Sequence, residues 1–312
     1  MVDSPEIERL FVHESIENVI PKAPFVEAVS ELPVPVELVG DGETFERTDA
    51  IATYFPRPEF TDAGWIHCIR AGYDEFDTEA YESAGIAFTN SSGVHGSTVS
   101  ELALNMMLSF ARLGHLYRDH ENRREWMSPA YERPFTLENE RVCVVGLGTI
   151  GEATAVRCDA LGMDVVGVRR SDEAVPGVSE IFAPEQLHDA IDGARFVVLT
   201  VPQTPETENM IGEPEFDVLR DDSYLINVAR GAVVDESALI DALEAGEIAG
   251  AGLDVFEEEP LPEDSPLWDF EEVIVSPHKG SATNRYHLDL ADLFKENVER
   301  AMAGEEMRNR IV

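Results

Sequence analysis

RVCVVGLGTIG, residues 141–151, is the stretch whose reading decides the fold. A short apolar run enters a turn built on three glycines, Gly146, Gly148 and Gly151, spaced as G-x-G-x-x-G. The residues that follow, GEATAVRCDALG, read as a helix, with Ile150, Ala153, Val156 and Ala160 at three- and four-residue steps on one apolar face. Strand, glycine turn and helix in that order form a dinucleotide fingerprint, a motif that is weak when it stands alone. Gly146 would permit the tight turn, Gly148 the approach of a pyrophosphate, and Gly151 the close packing of helix on strand. The helix start would offer free N–H groups to phosphates. The alternative is a packing turn that holds no ligand.

The rhythm continues outward. MDVVGV (163–168), ARFVVLTVP (194–202), SYLINVAR (223–230), AGAGLDVF (249–256) and VIVSP (273–277) read as further strands, with helices such as DESALIDALEAGEI (235–248) between them. Six β runs alternating with helices predict an α/β fold with a doubly wound parallel sheet. The N-terminal part repeats the alternation on a smaller scale in IERLFVH, VPVELVG, AIATYF, WIHCIR and IAFTN. Residues 1–92 therefore read as a second, smaller α/β domain. Residues 97–120 read as one long helix, apolar enough for burial between domains or against a second subunit. NRYHLDLADLFKENVERAMAG predicts a last helix that returns the chain to the first domain.

Composition narrows the classes. The chain has 312 residues, 44% of them hydrophobic, enough for a sizeable core. It has 62 acidic against 23 basic residues and a net charge of −39, spread along the whole length. Only Lys22, Lys279 and Lys295 are lysines. A folded core under a carboxylate-rich, lysine-poor surface predicts a protein suited to concentrated salt, which screens self-repulsion. Nucleic acid is not an expected partner, because phosphate binding needs a basic face. Cys68, Cys143 and Cys158 form no CxxC, read as buried free thiols in a reducing cytoplasm, and no metal site is expected. No apolar run approaches membrane-spanning length, and no signal-peptide pattern opens the sequence.

Against that acidity, VVGVRRSDE (165–173) stands out. The end of the second strand of a dinucleotide fold usually carries an acid that holds a ribose 2′-hydroxyl, about 20 residues after the glycines. Here Arg169, Arg170 and Ser171 occupy that position, and no carboxylate precedes Asp172. Two guanidiniums and a hydroxyl suit a 2′-phosphate, so NADP(H) is the expected cofactor, with NAD(H) possible. A competing reading pairs one arginine with a surface carboxylate.

Ligands of doubly wound sheets gather at the carboxyl ends of strands. Three such ends carry ionisable residues: Arg230 in INVARG, Glu259 in LDVFEEEP and His278 in VSPHKGSAT. With IRAGYDEFD, GLGTIG, VPQTPETENMI, NVARGAVVDE, GLDVFEEEPLP and SPHKGSAT in order, the chain resembles the D-isomer-specific 2-hydroxyacid dehydrogenases over essentially its whole length. The resemblance implies a Rossmann cofactor domain over 93–280 and a smaller flavodoxin-like substrate domain over 1–92 plus 281–312. It implies D-2-hydroxyacid dehydrogenase activity on 2-keto acids in a homodimer, with Arg230, Glu259 and His278 as the catalytic residues. Glu259 is chosen among Glu257, Glu258 and Glu259 because the family's acid immediately precedes a proline, here Pro260.

These residue types suit hydride transfer to a keto carbon, which builds negative charge on the carbonyl oxygen. His278 could donate a proton to that oxygen. Glu259 could orient the ring and stabilise its positive charge. Arg230 could hold the substrate carboxylate and the developing charge. By resemblance, the N–H groups of Ala71 and Gly72 bind the carboxylate from the other domain, in a cleft that closes to expel water. Also by resemblance, Thr149 and Ile150 meet the pyrophosphate, and Val201, Pro202 and Thr207 border the adenosine. Val228 and Ala229 then approach the nicotinamide, Asp254 its carboxamide, and Gly280 and Ser281 follow the histidine. Tyr54, Phe55 and Arg70 are expected near the substrate mouth, where the aromatics either favour an apolar substrate or belong to the core. Lys279, uncommon after the family's histidine, either adds positive potential to the cleft or points outward. The rival function is a dinucleotide sensor without catalysis on the same fold.

Overall fold

The computed structural model describes residues 5–312; residues 1–4 of the expected first domain lie outside the described residues. Along the chain come β1 (Arg9–His13), α1 (Lys22–Val29), β2 (Val36–Val39), β3 (Asp49–Thr53), β4 (Trp65–Cys68), α2 (Thr78–Ala84) and β5 (Ala87–Asn90). Then follow α3 (Gly96–Ala111), α4 (Gly114–Arg123), β6 (Arg141–Val145), α5 (Thr149–Ala160), β7 (Asp164–Val168), β8 (Glu180–Phe182), α6 (Leu187–Ile191) and β9 (Phe196–Leu199). The last elements are α7 (Glu213–Phe216), β10 (Tyr224–Asn227), α8 (Glu236–Ala245), β11 (Gly250–Leu253), β12 (Val273–Val275) and α9 (Tyr286–Met302). The chain divides into two compact units: it leaves the first between His95 and Gly96 and re-enters it between Ser281 and Ala282.

The first unit holds a five-stranded parallel sheet ordered β2-β1-β3-β4-β5, the flavodoxin-like order. Its central strands β3 and β4 are buried along their whole length because both faces are covered. Leu10, Val12, Ala50, Ala52 and Trp65 pack with Phe25 of α1 and with Leu290, Phe294 and Val298 of α9. Phe11, Ile51, Ile66 and Phe88 face the other way. Asp77 caps α2 by accepting from Ala80 N–H, and Gly85, at φ 67°, ends it. Residues 309–312 run antiparallel along β5, with Ile311 N–H donating to Phe88 O and Phe88 N–H to Val312 O.

The second unit holds a seven-stranded parallel sheet ordered β12-β11-β10-β9-β6-β7-β8. This is the doubly wound Rossmann order with one strand more on the β11 side. Six runs are legible in the sequence; the seventh strand, β8, is one exposed and two half-buried residues paired to β7, too short to show an apolar signature.

Two other expectations need correction. Residues 97–120 are not one helix. The carbonyl of Ala111 accepts from Phe135 N–H, and Leu113 turns left-handed at φ 56° with its side chain buried, so α3 ends and α4 begins anew. The apolar side of α3 packs along α5 within this unit. On α5 itself the buried face is Gly151, Thr154, Ala155 and Cys158, whereas Val156 is exposed. Small size rather than hydrophobicity selects this face: Thr154 satisfies its hydroxyl by donating to Ile150 O, and the helix settles close to its neighbours.

The β6–α5 turn shows how close. Gly146 sits at φ 95°, and a Cβ there would lie 2.7 Å from Val201 Cγ1. A Cβ on Gly151 would lie 1.9 Å from Gly146 O. The side chain of Thr200 secures the turn by donating to Gly146 O. All three cysteines are free and buried, and burial pushes the thiols of Cys143 and Cys158 up to about 12.

Two outcomes follow from this packing. Gly151→Ala should destabilise the protein by about 1–3 kcal/mol in urea unfolding, because the backbone of the glycine turn must move. His67 is fully buried among Trp65, Thr89, Ser91 and Phe294, and burial pushes it down to about 3. The unfolded chain takes up that proton near pH 6.5 while the folded chain does not, so stability falls as pH drops from 6.5 towards 3. Urea unfolding at fixed salt should show a shallower fall in His67→Gln, by up to about 1.4 kcal/mol per pH unit between pH 4 and 6; equal slopes would refute the assignment.

Candidate active site

The carboxyl ends of β10, β11 and β12, neighbours in the sheet, carry Arg230, Glu259 and His278 in turn. Asn227, the buried last residue of β10, organises the first loop. Its side chain accepts from Ala229 N–H at 3.0 Å and donates to Arg230 O at 3.0 Å, and its carbonyl accepts from Asp254 N–H. The segment after β11 folds back so that Glu259 Oε1 accepts from Phe256 N–H at 3.1 Å. Its other oxygen, Oε2, lies 2.7 Å from His278 Nδ1. A carboxylate only accepts, so Nδ1 carries the proton of that bond and Nε2 is the ring nitrogen left for a ligand. Burial pushes the Glu259 carboxyl up. The bond to His278, that ring's charge, the Phe256 N–H and the Arg230 charge outweigh burial and hold it below the ordinary carboxylate range.

His278 itself is half exposed and adopts a left-handed backbone at φ 52°. A non-glycine residue held there costs about 1–3 kcal/mol and persists only where its surroundings impose it. Asp254 imposes it. This buried carboxylate accepts from Ser276 Oγ at 2.5 Å, Lys279 N–H at 2.9 Å and Gly280 N–H at 2.9 Å, binding the loop on both sides of the histidine. Asp254 is thus already engaged by three donors at the place where a carboxamide contact is expected. Lys279 is exposed.

At the other strand ends lies a cradle. α5 begins at Gly148 with no side chain capping it, and a Cβ on Gly148 would meet nothing within 4 Å. The start of α5, at Thr149 and Ile150, is thus open to an anion. Val201 packs against Gly146. Thr207 holds the loop after β9 closed, donating to Pro202 O at 2.7 Å and accepting from Thr204 N–H at 2.8 Å. Val228 and Ala229 are buried, as is Gly280, while Ser281 is half-buried. After β7, Arg169 lies 3.7 Å from Glu152 and 3.9 Å from Glu173, both too long for a good hydrogen bond. Arg170 is exposed and Ser171 half-buried. An open helix start, a glycine that leaves space and a nearby guanidinium pair fit a dinucleotide.

In the first unit, the carbonyl of Ala71 is taken by Asn90 and that of Gly72 by the Cys68 thiol. Their N–H groups have no hydrogen-bond partner among the described residues. Arg70 lies 4.5 Å over the ring of Tyr54 and 5.5 Å over that of Phe55, and pairs with Glu75 at 2.7 Å. The aromatics therefore carry a cation on their faces rather than forming a bare apolar wall. The sequence reading missed Asn227 and Thr200, and the grip of Asp254 on the histidine loop. INVARG and LTVP place the first two directly at strand ends, which was the available signal.

The chain is similar to known proteins over most of its length. Residues 104–280 match the model of the D-isomer specific 2-hydroxyacid dehydrogenase NAD binding domain. The glyoxylate reductase of Korarchaeum cryptofilum (strain OPF8) is 35% identical over 242 residues, covering 75% of this chain and 71% of the relative. The glyoxylate/hydroxypyruvate reductase B of Yersinia pestis (strain Pestoides F) is 36% identical over 247 residues, covering 77% and 75%. A crystal structure of a D-isomer specific 2-hydroxyacid dehydrogenase from Xanthobacter autotrophicus Py2, in complex with NADPH and MES, superposes with a TM-score of 0.82 at 30% identity, covering 97% of this chain and 98% of that one. Family model, relatives and fold agree, and the chain belongs to the D-isomer specific 2-hydroxyacid dehydrogenase family of NAD(P)-dependent oxidoreductases.

Proposed function

We propose that this enzyme reduces small 2-keto acids to D-2-hydroxy acids, with NADPH preferred over NADH and His278 as the general acid. The bond between His278 Nδ1 and Glu259, within reach of the Arg230 charge, is the observation that carries the reading. When bound, the nicotinamide supplies the hydride. Nε2 of His278 donates a proton to the substrate oxygen as charge builds there. Glu259, accepting from Nδ1–H, holds the ring in the orientation this needs, and the donating ring carries a proton on both nitrogens. Arg230 binds the substrate carboxylate and carbonyl. In reductase relatives named for glyoxylate and hydroxypyruvate, small polar keto acids are the named substrates. The cation over Tyr54 and Phe55 supports the same class here over bulky apolar ones.

For the cofactor, Thr149 and Ile150 would receive the pyrophosphate, and Val201, Pro202 and Thr207 would border the adenosine. Val228, Ala229, Gly280 and Ser281 would line the nicotinamide side. Arg169, Arg170 and Ser171 would take the 2′-phosphate, because Arg169 has only loose partners and no carboxylate occupies the end of β7. The unit of Gly96–Ser281 is the proposed cofactor domain and the other the substrate domain. Trp126 and Tyr131, 97% and 98% exposed in a stretch outside helices and strands, support coverage by a second copy, hence a homodimer. No described helix is long and apolar enough to cross a membrane. With a net charge of −39, the protein is expected to work in the cytoplasm at high salt. The dinucleotide-sensor reading is not favoured, since the named relatives are reductases.

Two measurements test this. His278→Gln should lower kcat/KM for glyoxylate and hydroxypyruvate by about 10²–10⁴-fold in molar KCl while NADPH still binds in fluorescence titration; full turnover would sink the assignment. Arg169→Ala should lower kcat/KM for NADPH by about tenfold or more and leave NADH within about twofold. Equal effects on both cofactors would make Arg169 a surface charge.

A further inference from the structure

We propose that Glu236 and Glu257 form a clasp that sets the register of the Arg230 turn against the Glu259 loop, acting as positioning residues for the reaction. The inference rests on the catalytic assignment of Arg230 and Glu259 above. Glu236 N–H donates to Glu257 Oε1 at 3.2 Å, and Glu257 N–H donates to Glu236 Oε2 at 3.3 Å. Each carboxylate thus holds the other residue's backbone. Glu236 is the first residue of α8, and Glu257 lies two residues before Glu259.

Capping alone does not require this arrangement. Asp235 already caps α8 by accepting from Ala238 N–H at 3.0 Å. What the clasp adds is a tie between two loops at their closest approach. A Cβ on Gly231, next to Arg230, would lie 1.9 Å from Phe256 O and 2.5 Å from Glu257 N. Phe256 is therefore wedged by the two peptides that flank it: its carbonyl, with Glu257 N, abuts the Arg230 turn, and its N–H donates to the Glu259 carboxylate. Moving Phe256 moves both catalytic groups. The two carboxylates lie side by side, and burial together with the charges of Glu257 and Glu258 raises the Glu236 carboxyl above its ordinary range. Two backbone donors offset that repulsion, and α8 adds the positive end of its dipole.

The test uses the full chain in molar KCl. In Glu257→Ala and Glu236→Ala, kcat/KM for the keto acid should fall about 5- to 50-fold, the scale expected for displaced catalytic groups. The pH limb of kcat/KM should shift, and NADPH Kd should stay within about twofold. Glu257→Gln, whose side-chain oxygen still accepts from Glu236 N–H, should restore most of the activity. Glu257→Asp keeps the charge but withdraws the acceptor by one methylene, and it serves if the alanine variants do not fold. A clear loss of kcat/KM in it supports the clasp. Wild-type kinetics and pH profile in the alanine or aspartate variants would overturn it, as would a glutamine variant as impaired as alanine. Full turnover in His278→Gln would instead remove the catalytic assignment, and the clasp's role with it.

Discussion

The contact between Gly151 and the carbonyl of Gly146 is the constraint on which the second unit depends. It brings the start of α5 directly over the end of β6, with space left open at Gly148. The same closeness recurs on the other side of the switch in strand order. There Gly231 abuts the Phe256 carbonyl and Gly280 abuts the Asp254 carboxylate. Gly146 lets its turn lie on the Thr200–Val201 backbone, Gly231 lets the Arg230 turn lie on the Phe256 carbonyl, and Gly280 lets the histidine loop lie on the Asp254 side chain. Four short loops then act as one rigid rim, and side chains from distant parts of the sequence meet to within a hydrogen bond. Hydrophobic burial supplies the stability of the two sheets, but these approaches give the rim its precision.

Most of the architecture was legible because parallel strands buried on both faces leave near-continuous apolar runs, as in β6 and β9. The misses share a cause. β8 is an edge strand with one neighbour and few buried atoms, so packing gives it no pattern to display. The face of α5 was misread because Gly151, Thr154 and Cys158 are selected by size, which a hydrophobic period does not register. The break at Leu113 depends on Phe135, more than twenty residues downstream, taking the Ala111 carbonyl, and no local signal encodes that. At the site, residue types and strand-end positions could be read directly. The backbone partners of Asn227, Thr200 and Asp254 could not, because hydrogen bonds between loops exist only once both loops have folded.

The charge balance gives the site a particular character. On a chain so rich in carboxylates, an anionic substrate or cofactor meets a repulsive field at long range, and salt screens it. Local cations must then supply the attraction at short range. The positions of Arg169, Arg170, Arg230 and Arg70 at strand ends are consistent with that need. Arginine suits this better than lysine, since its planar fork binds carboxylates and phosphates in two places at once. Some of the carboxylates, as at buried Asp254 and at exposed Glu257 and Glu259, anchor backbone N–H groups.

The antiparallel segment along β5 bears on how the first unit avoids its own kind. A parallel sheet left open at β5 would present a row of bare amide donors and carbonyl acceptors, a template for another chain to dock on. Residues 309–312 occupy that row with the unit's own backbone. At the opposite side, β2 is only four residues long and turns Glu37 and Leu38 to solvent. One margin is sealed by hydrogen bonds and the other carries a charge at Glu37, so each edge has its own means of refusing a foreign strand.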